Sequence, residues 1–277
     1  MRISRRSLLA GGAVGVGGLA AGAVGVEYDV LPGRRFAYDV LGLNGAAGVI
    51  PDVAPGPIER GVIGGANWWV TRPPGRDLDG LPLVIALHGA GGNAQAVIDN
   101  LGVDRFLAAS GQQFAIAAID GDRSYWHPRT DGSDTGALVI EELLPVLSRR
   151  GLDTDRLAFT GWSMGGYGAL LLPTRLSAPV PACAVSPAMW PSYDKSAPDA
   201  FDSQADFDQW GFGDGWPLDP QGYRIDCGHG DPFFRHDQDF AESAGIEFHA
   251  GAGGHDDDYW KRVLPGQLAW LGQQLAL

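Results

Sequence analysis

The stretch Gly161-Trp162-Ser163-Met164-Gly165-Gly166 restricts the fold of this chain more than any other segment does. A short apolar run, Arg156-Leu157-Ala158-Phe159-Thr160, leads into it, and a helix-compatible run, Tyr167-Gly168-Ala169-Leu170-Leu171-Leu172, leads out. A serine with glycine at both second neighbours, set between a strand and a helix, is the pattern of a nucleophile elbow. So tight a turn holds the serine in a strained backbone conformation, and side chains two positions to either side would collide there. Among 42 glycines the pentapeptide alone carries little weight; its setting between strand and helix gives it meaning.

Leu81 to Leu87 and Phe114 to Ile119 are apolar without alternation. Such runs predict strands buried on both faces, as in a parallel sheet covered by helices. Further strands are expected at 179–186, 223–228 and 246–249. Helices are expected over 93–110, from a cap at Asp134 or Thr135 to Gly151, and from about Asp256 to Leu275. The β character around Asn67-Trp68-Trp69-Val70, before the Pro73-Pro74-Gly75 break, predicts outer antiparallel strands. The alternation gives an α/β class with a mostly parallel, doubly wound sheet in one domain over 59–277. The Trp-, Asp- and Pro-rich excursion at 187–222 follows the strand after the nucleophile helix and reads as a lid-like insertion. With Trp190, Trp210, Phe212 and Trp216, it either covers an apolar substrate or packs on itself. Residues 24–58, rich in Pro and Gly, read as an extended lead-in with one short helix.

The first residues carry a different signal. Ser4-Arg5-Arg6-Ser7-Leu8-Leu9 sets paired arginines before a Gly/Ala/Val stretch that runs to Val26, with no acidic residue until Glu27. This is the pattern of a twin-arginine export signal, with Ala21-Gly22-Ala23 as a cleavage site after which no integral membrane span is expected. The other readings are an uncleaved N-terminal anchor and a chance arginine pair. An extracellular, periplasmic or cell-wall location follows from the first. The net charge of −13 argues against nucleic acid or anionic lipid as a partner. Cys183 and Cys227 each fall in an expected strand, where isolated core thiols are common; a bridge requires neighbouring strands in register.

An activated serine needs a base, an orienting carboxylate and an oxyanion site, in the order serine, acid, histidine, at the C-terminal ends of strands. Of the six histidines, His255 follows Gly253-Gly254 just past the last expected strand, where an imidazole can return to Ser163. His249 lies inside that strand and reads as packed or satisfied, and His229 and His236 come too early. Asp231, in Gly228-His229-Gly230-Asp231-Pro232, sits past a strand end, whereas Asp226 lies within the strand and reads as structural. Asp256, Asp257 and Asp258 suit the N-terminus of the last helix. The oxyanion donors are expected to be the backbone N–H groups of Met164 and of Ala90, with Gly91 as the alternative, in the His88-Gly89-Ala90-Gly91-Gly92 loop. His88 reads as a brace of that loop at the pocket edge. Tyr125, Trp126 and His127, in a loop from the same sheet edge, either line the substrate pocket or pack beneath the excursion. The acidic turns Asp120-Gly121-Asp122 and Asp131-Gly132-Ser133-Asp134 lack the spacing of a calcium loop; no metal and no cofactor are expected.

Taken together, Leu87-His88-Gly89-Ala90-Gly91-Gly92, the Gly161 to Leu170 run, and the Asp231 and His255 loops resemble the esterase-D/putative-esterase branch of the α/β-hydrolase superfamily. That branch includes secreted mycolyltransferases and feruloyl-esterase-like enzymes, and the resemblance covers roughly residues 60–277. It implies an α/β-hydrolase fold and a secreted serine esterase that works through an acyl-enzyme, with Ser163 as nucleophile and His255 and Asp231 completing the triad. It implies a small-molecule, lipid or glycan ester as substrate. The mycolyltransferase elbows lack the Met-Gly-Gly-Tyr-Gly run found here, which favours hydrolysis over acyl transfer. A non-catalytic exported protein that binds glycans or cell-wall components is the remaining alternative, although no triad member is missing.

Overall fold

The computed structural model describes residues 34–213 and 221–276. The expected export signal and Trp216 lie outside these residues. The two unalternating apolar runs form the centre of an eight-stranded sheet. Its strands are β1 (Ile58–Ile63), β2 (Ala66–Thr71), β3 (Pro82–Leu87), β4 (Ala115–Ile119), β5 (Asp153–Trp162), β6 (Ala182–Val185), β7 (Tyr223–Gly228) and β8 (Glu247–Gly251). They lie in the order β1-β2-β4-β3-β5-β6-β7-β8. The β1–β2 and β2–β4 pairs are antiparallel, and every later pair is parallel.

Burial explains why β3 and β4 show no alternation. Leu83, Ile85 and Leu87 face one hydrophobic cluster while Val84 and Ala86 face the other. The first cluster is completed by α4, which joins Thr135–Ala137, the π-helical Leu138–Leu143 and Leu144–Ser148, and by α5 (Met164–Leu171) and α7 (Phe234–Ala244). The second is completed by α2 (Ala94–Asp99), α3 (Val103–Ser110) and α8 (Asp257–Leu275). Strand order reverses at β3, which has β4 on one side and β5 on the other. The helices after β3 and after β5 therefore leave on opposite faces, and a crevice opens between the two strand ends, the place where open α/β sheets bind ligands. Leu87, at the end of β3, is in register with Gly161 of β5.

Some expected elements change on folding. The single helix over 93–110 is two, because Gly102 adopts a left-handed φ of 63° and a side chain there would overlap Ile50 of the lead-in. The strand at 179–186 contracts to β6. His249 is satisfied rather than packed: β8 is an edge strand, and the exposed imidazole pairs with Glu247. Residues 24–33 of the lead-in lie outside the described residues; the described part contains a short helix, α1 (Arg34–Val40), closed by a glycine cap. Gly42 has φ 65°, and the Leu43 amide donates to Tyr38 O at 2.9 Å. The excursion contains a 3-10 turn, Tyr193–Lys195, and α6, Gln204–Trp210. Among the described residues no helix is long and apolar enough to cross a membrane. Cys183 and Cys227 are both free and buried, and burial pushes each thiol well above its usual range.

Asp226 shows how the sheet tolerates a charge. It is buried in β7, accepts two hydrogen bonds from Arg224 (2.9 and 2.8 Å) and a third from Gln267 of α8 at 2.9 Å. The carboxylate ties the sheet to the final helix, as expected of a structural acid. Replacing it by Ala would strand a half-buried guanidinium, at a cost of about 3–5 kcal/mol. Urea unfolding of Asp226→Ala is expected to show that loss; a change under about 1 kcal/mol would mean the pair behaves as an exposed one.

Candidate active site

Ser163 sits in the turn between β5 and α5 with φ 57° and ψ −119°. For a residue with a Cβ, this conformation costs on the order of 1–3 kcal/mol and persists only when its surroundings hold it. The surroundings do so on three sides. The Ser163 amide donates to Val185 O of β6 at 3.0 Å, and its carbonyl accepts from Tyr167 and Ala188, each at 3.0 Å. The flanking glycines are sterically required. A Cβ on Gly161 would overlap the Gly165 carbonyl, and one on Gly165 would overlap the Leu87 carbonyl.

His255 and Asp231 reach this serine from the ends of β8 and β7. His255 Nε2 lies 2.9 Å from Ser163 Oγ, and His255 Nδ1 lies 2.8 Å from Asp231 Oδ2. A carboxylate only accepts, so Nδ1 carries the proton and Nε2 is left to accept from the serine hydroxyl. The other Asp231 oxygen accepts from the Phe233 amide at 2.9 Å. Asp231 is fully buried, whereas His255 is 18% exposed. The imidazole is bracketed by the rings of Phe233 and Trp260, with centroids 5.3 and 5.2 Å away. The two loops are tied together by His229 N–H to Gly251 O (2.8 Å) and Gly230 N–H to Gly253 O (2.7 Å). Asp256 caps α8 through the Tyr259 amide, at 3.0 Å, as its position suggested.

The loop after β3 rests on the serine. A Cβ on Gly89 would lie 3.4 Å from Ser163 Cβ. Gly92 N–H closes a turn onto Gly89 O at 3.0 Å, with Gly91 at φ 79°, the third turn position, which favours glycine. Ala90 is exposed at the second position and lines the cavity with Ser163. Met164 is the first residue of α5, so its N–H belongs to the helix-terminal amides that lack an i−4 partner. His88 braces this loop: Nδ1 donates to Gly89 O and Nε2 accepts from the Gly121 amide, both at 2.8 Å. Burial pushes its imidazole below the ordinary value of 6.5.

The cavity beside Ser163 has a volume of about 310 Å³. Its walls combine the 88–92 loop, Val97 and Leu101 from the α2–α3 side, Trp162, and Asp257 and Trp260 from α8. The sequence offered no role for Trp162, and Val97, Leu101 and Trp260 are recognisable as wall residues only once α2 and α8 have packed. Tyr125, Trp126 and His127 do not line this cavity. Trp126 is wholly buried in a niche where side chains on Gly121 and Gly168 would overlap its ring. His127 Nε2 lies 2.8 Å from Ala200 O, and its ring stacks on Phe201 at 5.3 Å. Tyr125 packs against Tyr167 and Trp190. The described part of the excursion likewise supplies no wall of the cavity: Trp210 and Phe212 pack on His127 and Tyr167. Behind the triad, the Asp237 carboxyl is fully buried beside the Cys227 thiol, with no N–H or O–H donor among the described residues, and burial pushes it well above the usual carboxylate range.

No family model and no curated protein matches the chain. Solved structures do match it. An S-formylglutathione hydrolase from Agrobacterium tumefaciens is 18% identical, with a TM-score of 0.66 over 81% of this chain and 98% of that one. A ferulic acid esterase is 20% identical, with a TM-score of 0.63 over 79% and 97%. An α/β hydrolase from the metagenome of Lake Arreo, Spain, is 19% identical, with a TM-score of 0.59 over 94% and 96%. The chain has the α/β-hydrolase fold, and its structural neighbours include esterases.

The depressed His88 imidazole gives a pH dependence. The unfolded chain binds a proton near pH 6.5 that the folded chain resists, so this contribution to stability is complete above 6.5 and is lost as pH falls toward 5. His236, also lowered by burial, acts in the same direction. Thermal melts are expected to show Tm falling between pH 7 and 5, and His88→Gln is expected to make that fall shallower; an unchanged slope would count against the assignment.

Proposed function

We propose that this chain is an exported serine hydrolase of carboxylic esters that works through an acyl-enzyme. The observation that carries the reading is the continuous chain Ser163–His255–Asp231, with contacts of 2.9 and 2.8 Å on an elbow that exposes the serine to a cavity. Export is supported by the arginine pair and apolar stretch that open the sequence. In this mechanism Ser163 Oγ attacks the ester carbonyl while its proton passes to His255 Nε2, and Asp231 holds the Nδ1 proton and stabilises the imidazolium. The Ala90 and Met164 amides donate to the oxyanion. Collapse expels the alcohol with the proton from His255 and leaves an acyl-serine. Water, deprotonated by His255, then releases the carboxylic acid and restores the serine. Labelling by a fluorophosphonate probe is expected in the wild type and absent in Ser163→Ala, together with a loss of p-nitrophenyl ester turnover of about 10³-fold or more. Equal turnover by the two proteins would overturn the serine mechanism.

The cavity also bears on the substrate. Its volume is at the lower end for small-molecule sites, which suits compact esters. The Asp257 carboxylate stands in its wall without a hydrogen bond or ion pair among the described residues, and burial pushes it above its usual range. In a protein of net charge −13, that carboxylate disfavours anionic acyl or leaving groups. A charge repulsion of about 1–2 kcal/mol corresponds to a ~10-fold penalty in kcat/KM. Accordingly, p-nitrophenyl butyrate should exceed the hemisuccinate by about that factor, and Asp257→Asn should narrow the ratio. A ratio unaffected by the substitution would remove Asp257 from substrate selection.

A further inference from the structure

The lead-in does more than connect β1 to the start of the chain. After the glycine cap at Gly42, residues 43–48 run along the two loops that carry Asp231 and His255. Asn44 lies over both: a Cβ added to Gly230, the neighbour of Asp231, would meet Asn44 Oδ1 at 2.6 Å and Tyr38 Cβ at 2.9 Å. One added to Gly254, the neighbour of His255, would meet Asn44 Nδ2 at 3.6 Å. Asn44 is itself oriented by Asp39, whose Oδ1 accepts from Nδ2 at 2.5 Å. Farther on, the Gly48 amide donates to Asp258 O in the first turn of α8, at 2.9 Å. A side chain at Gly48 would overlap the Arg262 backbone nitrogen, so the segment lies directly on the helix.

Arg262 of α8 fastens this arrangement. Its guanidinium donates to the carbonyls of Asn44, at 3.1 Å, and of Ala46 in the lead-in, and to the carbonyl of Ala252 in the His255 loop. The same group sits 5.4 Å above the Tyr259 ring, and that ring fills the space a Gly253 side chain would need. Arginine suits the task because its planar fork can serve several carbonyls at once from a fixed position.

We infer that residues 38–48 form a strap, anchored by Arg262, that holds the Asp231 and His255 loops in register; Arg262 and Asn44 are positioning residues for the catalytic base. The catalytic part of this rests on the roles proposed above for Asp231 and His255. Neither Arg262 nor Asn44 touches Ser163 or lines the cavity. The two loops are short and rich in glycine, and the strap adds side-chain contacts from outside to the two backbone hydrogen bonds that join them. A misplacement of about 1 Å at a catalytic group can cost on the order of 10²-fold in rate. The effect falls on kcat rather than KM, because the strap lies away from the cavity walls.

The test uses the full chain with Arg262→Gln and, separately, Asn44→Ala, at a temperature where circular dichroism shows both variants folded. Each is expected to lower kcat for p-nitrophenyl butyrate by about 10-fold with KM within about twofold. Arg262→Lys, which keeps the charge but not the fork, is expected to recover only part of the loss. Hydrogen exchange at the amides of 252–255 is expected to quicken in Arg262→Gln and Asn44→Ala. Exchange is read without substrate, so it tests the strap even if Ser163 proves unreactive. Faster exchange across 38–48 with wild-type protection at 252–255 and wild-type kcat would overturn the inference, as would a loss of activity that tracks only a fall in Tm.

Discussion

The strained turn at Ser163 is the constraint on which the site depends. A left-handed serine costs free energy and can exist only where neighbouring backbone holds it. Here the support comes from β6 through Val185 O, from the following loop through Ala188 N–H, and from α5 through Tyr167 N–H. The β3 strand approaches so closely that the Leu87 carbonyl occupies the space of a Gly165 side chain. The nucleophile is thus fixed by three neighbouring strands, β3, β5 and β6, and by the helix that leaves the turn. The strand reversal at β3 leaves the crevice in which the serine is reached.

Much of this was legible because it depends on local chemistry. Continuous apolar runs at 81–87 and 114–119 marked strands buried on both faces, and each face indeed meets its own cluster. Glycines on either side of Ser163 and ahead of His255 reported turns whose geometry excludes side chains. What stayed open in the sequence has a different physical origin. The Trp126 loop leaves the sheet near the site, so lining the pocket and packing beneath the excursion were both open to it. Its ring is instead captured by a niche whose glycines, Gly121 and Gly168, are 47 positions apart in sequence. The lead-in shows no periodicity, since its partners are carbonyls and a guanidinium more than 200 positions away. The walls formed by Leu101 and Trp260 exist only after α2 and α8 have packed.

Three aspartates around the end of β7 show how surroundings divide the work among identical side chains. Asp226, inside the strand, is closed off by the Arg224 fork and Gln267 and serves the sheet. Asp231, five residues on, has passed the strand end, where one oxygen is oriented by the Phe233 amide and the other faces His255. Asp237 lies in the first turn of α7, as deeply buried as Asp231, with the Cys227 thiol beside it and no N–H or O–H donor among the described residues. A charged carboxylate in such a place is costly, and burial pushes this group well above the usual carboxylate range. The nearby Asp231 charge pushes the same way. Surroundings therefore divide the three: only Asp231 stands past the strand end with an oxygen facing His255, while Asp226 is closed off by its partners and Asp237 is enclosed in the core.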